Sequence, residues 1–315
     1  MNTEAKATSV AVLEPAPLYT VTVEAGEQGE PEVHFHAGGQ GVWVARMVMR
    51  LGERAVLCGP LGGESGRVVR VLLEDEGIDV HEVTTDQANG GYIHDRRQGD
   101  RETVVDVDSP VLSRHDSDNL YDAMLVNALE AGVAVISGDG SRGIADPGFF
   151  ARLARDLGSN GVLTVADVSG EALRAFEGGL AMLKVSEQDL ARDGFLTSPD
   201  EGELIEWIQE FGRTKAEHVI VSRAEQPALA LVDGRLLQLH PPRFEPADHR
   251  GAGDSMTAGL AIGLARKLST DDVLRLASAA GALNVTRHGL GTGTGSQIEQ
   301  LAERVELTEV SQVPR

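Results

Sequence analysis

The sequence predicts an α/β protein built on a mostly parallel sheet with helices on both faces. Short apolar stretches at 133–137, 162–166 and 180–185 alternate with longer stretches of helical spacing, as in βαβ units. The polar stretch 80–107 carries only short alternating apolar pieces and predicts exposed strands rather than core. Because ligands of such sheets bind at the carboxyl ends of the strands, the pattern also predicts where a site should lie.

Each predicted element has a local reason in the sequence. Apolar and β-branched runs bounded by glycine or proline predict strands at 10–13, 19–23, 55–59, 91–94, 103–105, 133–137, 162–166, 180–185 and 218–222. Helical spacing predicts helices that end near Leu51, and over 67–76, 117–131, 170–176, 200–212, 254–267 and 270–286. Asp146 and Pro147 have the residue types of a helix cap and first helical position, so another helix is expected there. The stretch 62–66 predicts a turn, Asp233-Gly234 predicts a hairpin, and the last two helices are expected to close the chain.

Composition restricts the class of partner. The 315 residues suffice for one large domain, and the formal net charge of −21 argues against nucleic acid or an anionic membrane surface. Cys58 is the only cysteine, so no internal disulfide is possible and a reducing compartment is expected. No signal-peptide pattern and no membrane-spanning apolar stretch is evident. A soluble cytoplasmic protein is therefore predicted.

The strongest chemical signal is a glycine-rich turn before a predicted helix. Gly251, Ala252 and Gly253 precede Asp254 and a run of small, apolar residues. Such a turn directs unpaired N–H groups and the positive end of the helix dipole at one spot, which suits a phosphate or a developing oxyanion. Asp254 at that spot can take a proton from a hydroxyl group. Taken alone, the motif is also explained by Asp254 acting as an ordinary helix cap.

Other residues converge on the same place. Lys184, Ser222 and Asp254 all lie at or just beyond predicted strand ends. Two common phosphate motifs are excluded, because no Gly-Lys exists for a Walker loop and Val44 stands where a dinucleotide fingerprint needs its third glycine. The glycines at 38–41 are also explained by a tight turn before a helix.

Together, two glycine-containing stretches resemble the paired signatures of the pfkB (ribokinase-like) carbohydrate kinases. These are 37–46 (Ala-Gly-Gly-Gln-Gly-Val-Trp-Val-Ala-Arg) and 251–255 (Gly-Ala-Gly-Asp-Ser). Further pieces resemble family motifs in the same order: 137–140 (Ser-Gly-Asp-Gly), 167–173 (Asp-Val-Ser-Gly-Glu-Ala-Leu) and 184–190 (Lys-Val-Ser-Glu-Gln-Asp-Leu). The Asp-x-Ser-Gly-Glu piece is similar to the 1-phosphofructokinase and tagatose-6-phosphate kinase branch.

The resemblance implies a ribokinase-like three-layer α/β sandwich with a mostly parallel central sheet and a small β-sheet lid. The chain would form a single kinase domain over 1–315, with lid segments at about 19–35 and 90–107. The resemblance also implies ATP with Mg²⁺ as phosphoryl donor, a small sugar or sugar phosphate as acceptor, and a homodimer joined through the lid. A requirement for K⁺ is left open.

Roles follow from matching motif positions. Asp254 would be the general base, and Gly251, Ala252 and Gly253 would form the anion hole. The residues implied to contact the acceptor are Gly38, Gly39, Gln40, Trp43 and Arg250. The residues implied to contact the nucleotide are Lys184, Ser186, Ser222, Ala224, Ala280, Gly281, Asn284 and Gly289, with Asp189 holding the metal through water. Ala280, Gly281, Asn284 and Gly289 are explained equally well as helix-packing residues.

Several positions depart from the family pattern, mostly on the acceptor side. Gln40 replaces a lysine and Trp43 replaces an asparagine that usually binds the sugar; an indole cannot accept a hydrogen bond. The family's Asn-Pro-Ala-x-Asp is Glu-Pro-Ala-Pro-Leu at 14–18, so the sugar-binding aspartate is missing. Arg96 and Arg97 are possible phosphate contacts, although surface charge explains them as well.

Two functional hypotheses follow. The first is an ATP-dependent, 1-phosphofructokinase-like kinase that transfers the γ-phosphoryl group to a hydroxyl of a sugar or sugar phosphate other than fructose 1-phosphate. The alternative is a weak or inactive pseudokinase that binds a ligand or acts in regulation. Retention of Asp254 with the glycine hole favours the first, because an idle site needs no base.

Overall fold

A computed structural model of the chain describes residues 8–99, 101–138, 143–198, 200–245, 247–287 and 291–310. The strands in these ranges are β1 (Ser9–Leu13), β2 (Leu18–Ala25), β3 (Pro31–Gly38), β4 (Arg54–Gly62), β5 (Asp79–Thr85), β6 (Gly91–Asp95), β7 (Glu102–Val107), β8 (Val133–Gly138), β9 (Leu163–Val168), β10 (Leu180–Ser186), β11 (Ala216–Arg223), β12 (Gln226–Val232), β13 (Arg235–His240) and β14 (Glu306–Glu309). The helices are α1 (Gln40–Arg50), α2 (Gly63–Asp75), α3 (Arg114–Ala131), α4 (Gly148–Ser159), α5 (Gly170–Ala175), α6 (Glu187–Arg192), α7 (Glu201–Glu210), α8 (Ala252–Ala265), α9 (Thr270–Asn284) and α10 (Gly295–Ala302).

The large sheet confirms the predicted fold class. Within the described residues its order is β14-β13-β12-β11-β10-β9-β8-β1-β4-β5. The pairs from β11 across to β5 are parallel, whereas β12, β13 and β14 are added antiparallel at one edge. The carboxyl ends of β9, β10 and β11 therefore lie side by side, and Ser186 at the end of β10 pairs with Ser222 near the end of β11.

Successive residues of a strand point alternately into two separate hydrophobic cores, as expected for a sheet buried on both faces. Val10 and Val12 of β1 pack with α1, α2, α8, α9 and α10. Ala11 and Leu13, on the opposite face, pack with α3 to α7. The protein therefore has three layers with the sheet in the middle, and none of the helices in the described ranges has the length and apolar character needed to span a bilayer.

The two exposed β regions of the sequence form a separate four-stranded sheet, ordered β3-β2-β6-β7, which we call the lid. Its strands pair antiparallel except β2 and β6, which are parallel. One row across the lid contains Phe35, Val21, Ile93 and Val105, so one face is apolar. His94 projects from the other face and is buried, with 4% of its surface exposed.

Three local predictions are wrong and one helix was not predicted. Residues 80–85 were expected to form an exposed strand outside the core, but they belong to β5 in the large sheet. The stretch 62–66 is not a turn but the end of β4 and the first turn of α2; its glycines are needed for close packing, since a Cβ on Gly62 would lie 2.5 Å from the Thr85 carbonyl oxygen. In contrast, the predicted cap at Asp146 is present: Pro147 already has helical φ and ψ of −58° and −27°, and the Asp146 carboxylate accepts a hydrogen bond from the Gly148 N–H at 2.9 Å. The short helix α6 was not predicted. The last two predicted helices do not close the chain, because α10 and β14 follow them.

Candidate active site

Of the three residues predicted to converge at the strand ends, Lys184 and Asp254 lie close together, whereas Ser222 lies on the neighbouring strand β11 and bonds to the Val185 carbonyl oxygen. Lys184 lies near the end of β10, Asp167 near the end of β9, and Asp254 in the first turn of α8. All three side chains are buried, and each has less than a tenth of its surface exposed. A buried cation with two buried carboxylates is costly unless the groups compensate one another or serve a reaction.

Asp254 has the electrostatic properties of a general base. Gly251, the N-cap of α8, has φ of 73°, a left-handed conformation that glycine adopts without strain. Burial is the main cause that raises the pKa of Asp254 to about 7, and the negative charges of Asp167 and Glu14 add to it. The Lys184 ammonium opposes this shift. The carboxyl group therefore changes protonation near neutral pH, where a catalytic base is most effective.

Lys184 is fixed by Asp167 rather than by solvent. Its Nζ lies 2.9 Å from Asp167 Oδ2, and the Thr257 hydroxyl lies 2.8 Å from the same oxygen. Burial lowers the pKa of Lys184, but the charges of Asp167 and Asp254 outweigh this and the net shift is upward, so the ammonium stays protonated. A Cβ on Gly253 would lie 2.6 Å from Lys184 Nζ, so the ammonium group lies directly against the first turn of α8.

The predicted acceptor loop lies at the start of α1. Gly38 ends β3, Gly39 is the N-cap of α1, and Gln40 and Trp43 lie in its first turn. The Gln40 side-chain amide donates to the Asp167 carbonyl oxygen at 3.4 Å, which connects this loop to the site. Leu18, where the family motif has an aspartate, is buried against Gly38, and a Cβ on Gly38 would lie 2.8 Å from its Cδ1.

Arg250 stands between α8 and the lid. Its guanidinium is paired with Asp248, whose Oδ1 accepts from Arg250 Nε at 2.9 Å and from the Arg250 N–H at 3.0 Å. Burial and the nearby charge of Arg96 lower the pKa of Arg250. Burial and Arg250 lower the pKa of His94. Arg250 therefore lies near enough to His94 and Arg96 of the lid for their charges to interact.

The predicted adenine residues lie at the packed end of α9. The Asn284 amide donates to the Arg250 carbonyl oxygen at 2.7 Å and accepts from the Gly291 N–H at 3.0 Å, so both of its ends are used within the chain. Ala280 is fully buried, and a Cβ on Gly281 would lie 3.0 Å from the Ala252 carbonyl oxygen. These contacts are those of packing residues, and adenine binding by them stays a prediction. Gly289 lies outside the described residues.

The other predicted nucleotide residues lie on β10, α6 and β11. Ser186 is the N-cap of α6: its hydroxyl accepts from the Asp189 N–H at 3.0 Å and donates to Asp189 Oδ2 at 2.5 Å. The Ser222 hydroxyl donates to the Val185 carbonyl oxygen at 3.3 Å. Ala224 follows at the tip of the β11–β12 turn with φ of 48°, which is unusual for a residue with a side chain.

A magnesium ion fits this donor set only as an ion held mainly by phosphates and water. No group of three metal-binding side chains exists among the described residues. Asp189 is partly exposed, but its Oδ1 already forms a salt bridge with Arg192 Nη1 at 2.5 Å. Mg²⁺ commonly keeps several waters and uses one or two carboxylates with substrate phosphates, which is compatible with Asp189 as a single contact.

Sequence reasoning missed three residues that the fold brings to the site: Glu14, Asp167 and Thr257. Asp167 is part of a motif that was recognised, but nothing in the sequence pairs it with Lys184. Thr257 lies about one helical turn after Asp254, and this spacing could have indicated that it shares a helix face with the base. Glu14 directly follows an apolar strand, and this position at a strand end was its signal.

The chain is similar to known carbohydrate kinases. A model of the pfkB family carbohydrate kinases matches residues 16–296. The chain is 29% identical over 263 residues to the ATP-dependent 6-phosphofructokinase isozyme 2 of Escherichia coli, which covers 81% of this chain and 83% of that protein. It is 25% identical over 290 residues to the 1-phosphofructokinase of Vibrio cholerae, and the match covers 87% of this chain and 86% of that protein. The crystal structure of E. coli phosphofructokinase-2 with potassium superposes with a TM-score of 0.82 at 24% identity, covering 94% of this chain and 99% of that one.

Proposed function

The chain belongs to the pfkB family of carbohydrate kinases, and we propose that it transfers the γ-phosphoryl group of ATP to a hydroxyl group of a sugar or sugar phosphate. The observation that carries the proposal is the Asp254 carboxylate, buried at the glycine-rich start of α8 with a pKa near 7 and a buried lysine beside it. A phosphoryl transfer needs a positioned base and compensated negative charge more than covalent chemistry.

Asp254 acts as the general base. As the acceptor oxygen forms its bond to the γ-phosphorus, the bond from that phosphorus to the bridging oxygen of ADP breaks. The hydroxyl proton passes to the Asp254 carboxylate, and the electron pair of the broken bond stays on ADP. A carboxyl group with a pKa of about 7 is ionised often enough at neutral pH to accept this proton and basic enough to hold it.

The first turn of α8 and Lys184 compensate the negative charge on the phosphoryl group. The N–H groups of Ala252 and Gly253 belong to the first helical turn and have no acceptor one turn earlier in the helix, whereas the Asp254 N–H is directed at its own carboxylate. They are supported by the positive end of the helix dipole and by the Lys184 ammonium directly beyond Gly253. This arrangement supports the predicted anion hole at Gly251, Ala252 and Gly253.

The nucleotide would lie along the ends of β10 and β11. Ser186, Ser222 and Ala224 are at this edge. Ala280, Gly281 and Asn284 in the last part of α9 would bound the adenine side of the pocket. Asp189 would hold a magnesium ion through water. Bound to the donor phosphates, that ion would neutralise charge and orient the γ-phosphoryl group.

The acceptor would lie between the start of α1 and the lid. Gly38 and Gly39 would let it approach the backbone, with Gln40, Trp43 and Arg250 at the margin. Relatives named phosphofructokinase support a sugar phosphate as acceptor. The neighbouring guanidinium groups of Arg250 and Arg96 also support an anionic acceptor. Leu18, in place of a sugar-binding aspartate, argues that the hydroxyl pattern differs from that of fructose phosphates.

We also propose a homodimer joined through the apolar face of the lid. Phe35 and Val33 on that face each expose 53% of their surface in the monomer. Packing of one lid against a second would bury this face, as in paired β-sheets. A cytoplasmic location, predicted from the single cysteine, and dependence on K⁺ both stay predictions.

The proposal is tested by measuring ADP release with Mg²⁺ and ATP over a panel of sugars, sugar phosphates and nucleosides. We expect turnover with at least one sugar or sugar phosphate. Absence of turnover across the panel, together with no effect of ATP on the melting temperature, would instead favour a binding protein without activity.

A further inference from the structure

Helix α1 begins without a cap of its own. Its N-cap, Gly39, has no side chain, and no side-chain hydrogen bond from that residue satisfies the helix end. Glu14, in the connection after β1, supplies the missing acceptor: its Oε2 accepts from the Gly41 N–H at 2.7 Å. Its other oxygen, Oε1, accepts from the Ala16 N–H at 2.9 Å. One carboxylate therefore ties the start of α1 to the end of β1, and both of its oxygens act as acceptors, as those of an ionised carboxylate do.

The packing around this carboxylate leaves no freedom. Glu14 exposes only 3% of its surface. A Cβ on Gly39 would collide with the Glu14 carboxylate, and a Cβ on Gly41 would lie 3.0 Å from Glu14 Cβ and 2.7 Å from the Leu13 carbonyl oxygen. The conformation of the 39–41 turn, with φ of 123° at Gly39, is thus built around the Glu14 side chain.

Glu14 also lies close to the base. The charged groups that act on Asp254 come from three elements: Asp167 from β9, Lys184 from β10 and Glu14 from the connection after β1. Lys184 is already paired with Asp167. Glu14 is therefore a charged group near Asp254 that also holds the 39–41 turn, where the acceptor is expected to bind.

We propose that Glu14 is a positioning residue for the transfer: it holds the 39–41 turn against which the acceptor binds and sets the negative charge beside Asp254. This inference rests on the proposed kinase function. It predicts that the two effects can be separated, because one depends on the length of the side chain and the other on its charge.

The first variant is Glu14→Gln, which keeps the size but removes the charge and one acceptor oxygen. We expect the pKa of the Asp254 carboxyl to fall, measured by ¹³C NMR titration with the signal assigned by its loss in Asp254→Asn. This readout needs no turnover. In steady-state kinetics, the acid limb of the pH–rate profile should move to lower pH, and the acceptor KM should rise about tenfold while the ATP KM stays within about twofold.

The second variant is Glu14→Asp, which keeps the charge but is one methylene too short to reach both N–H groups. Here the acceptor KM should rise while the pKa of Asp254 stays close to that of the wild type. Thr164→Val is the control, because it removes a buried side-chain hydrogen bond to the Val162 carbonyl oxygen near the start of β9 without changing charge. It should lower the melting temperature and leave both readouts unchanged.

An unchanged Asp254 pKa in folded Glu14→Gln, or an equal rise of both KM values, overturns the inference. If Glu14→Gln does not fold, as judged by circular dichroism, Glu14→Asp decides: a marked fall of the Asp254 pKa in that variant, or an unchanged acceptor KM, overturns it. Absence of turnover in the wild type would count against the proposed function, while the NMR titration would still decide the charge effect of Glu14.

Discussion

Lys184 Nζ and Asp167 Oδ2 lie 2.9 Å apart in the protein interior, directly beside the first turn of α8. Neither partner is solvated, so each depends on the other for compensation of its charge. The pair also determines where the positive charge stands relative to Asp254 and Gly253, and this makes Lys184 the most informative position on the nucleotide side.

Lys184→Met should lower turnover by about a hundredfold or more, because one cation that stabilises the transferring group is lost. It should also lower the free energy of unfolding by about 3–5 kcal/mol, since Asp167 is left as an uncompensated buried charge. Asp167→Asn in the same chain should restore much of the stability but not the activity. Urea unfolding and ADP release measure the two effects, with exposed Lys267→Met as the control. Full activity in Lys184→Met would exclude a role in transfer.

The parts of this site that sequence could predict are those set by local pattern. Asp254 and Lys184 stand out because a glycine turn and a strand end are readable from adjacent residues. The Glu14 bond to Gly41 joins positions 27 apart, and the Thr257 contact with Asp167 joins positions 90 apart, so neither follows from local spacing. The prediction of a turn at 62–66 failed for the same reason, because Gly62, Gly63 and Gly66 are required by close packing against Thr85, Ala88 and Asn89, which lie more than 20 residues later in the chain.

The raised pKa of Asp254 predicts a pH dependence of stability. The unfolded pKa is 3.8 and the folded pKa is about 7, so between these values the folded state binds more protons than the unfolded state. The contribution of Asp254 to the free energy of unfolding is therefore fully present below about pH 4 and is lost as the pH rises through about 7. The total loss is about 4 kcal/mol. Urea unfolding at about pH 5 and about pH 8 should show this loss in the wild type and a smaller one in Asp254→Asn. Identical pH dependence in both would contradict the shift.

Ala224 predicts a stabilising substitution. Its φ of 48° places Cβ in a crowded left-handed conformation at the β11–β12 turn, where glycine has no such cost. Ala224→Gly should therefore raise the free energy of unfolding by about 1 kcal/mol. Ala191→Gly in helix α6 is the matched control and should be destabilising by about 0.5–1 kcal/mol. Destabilisation by Ala224→Gly would show that the turn is not strained.

The apolar lid face predicts how the oligomer can be disrupted. Phe35→Asp places a charge in the proposed interface and should shift the protein from dimer to monomer in sedimentation velocity. Val126→Asp, on helix α3 with 64% of its surface exposed, is the control and should leave the assembly unchanged. An unchanged dimer in Phe35→Asp, or a wild type that is monomeric at all concentrations, would place any interface elsewhere.

The most direct test of the central claim is the turnover number of Asp254→Asn, measured by ADP release with the best acceptor and saturating MgATP. The substitution keeps the shape of the side chain but removes its ability to accept a proton. We expect turnover to fall by about 10²–10⁴-fold while ATP still raises the melting temperature, with Asp233→Asn in the distant β12–β13 turn unchanged. Turnover near that of the wild type in Asp254→Asn would contradict the assignment of the base and, with it, the proposed mechanism.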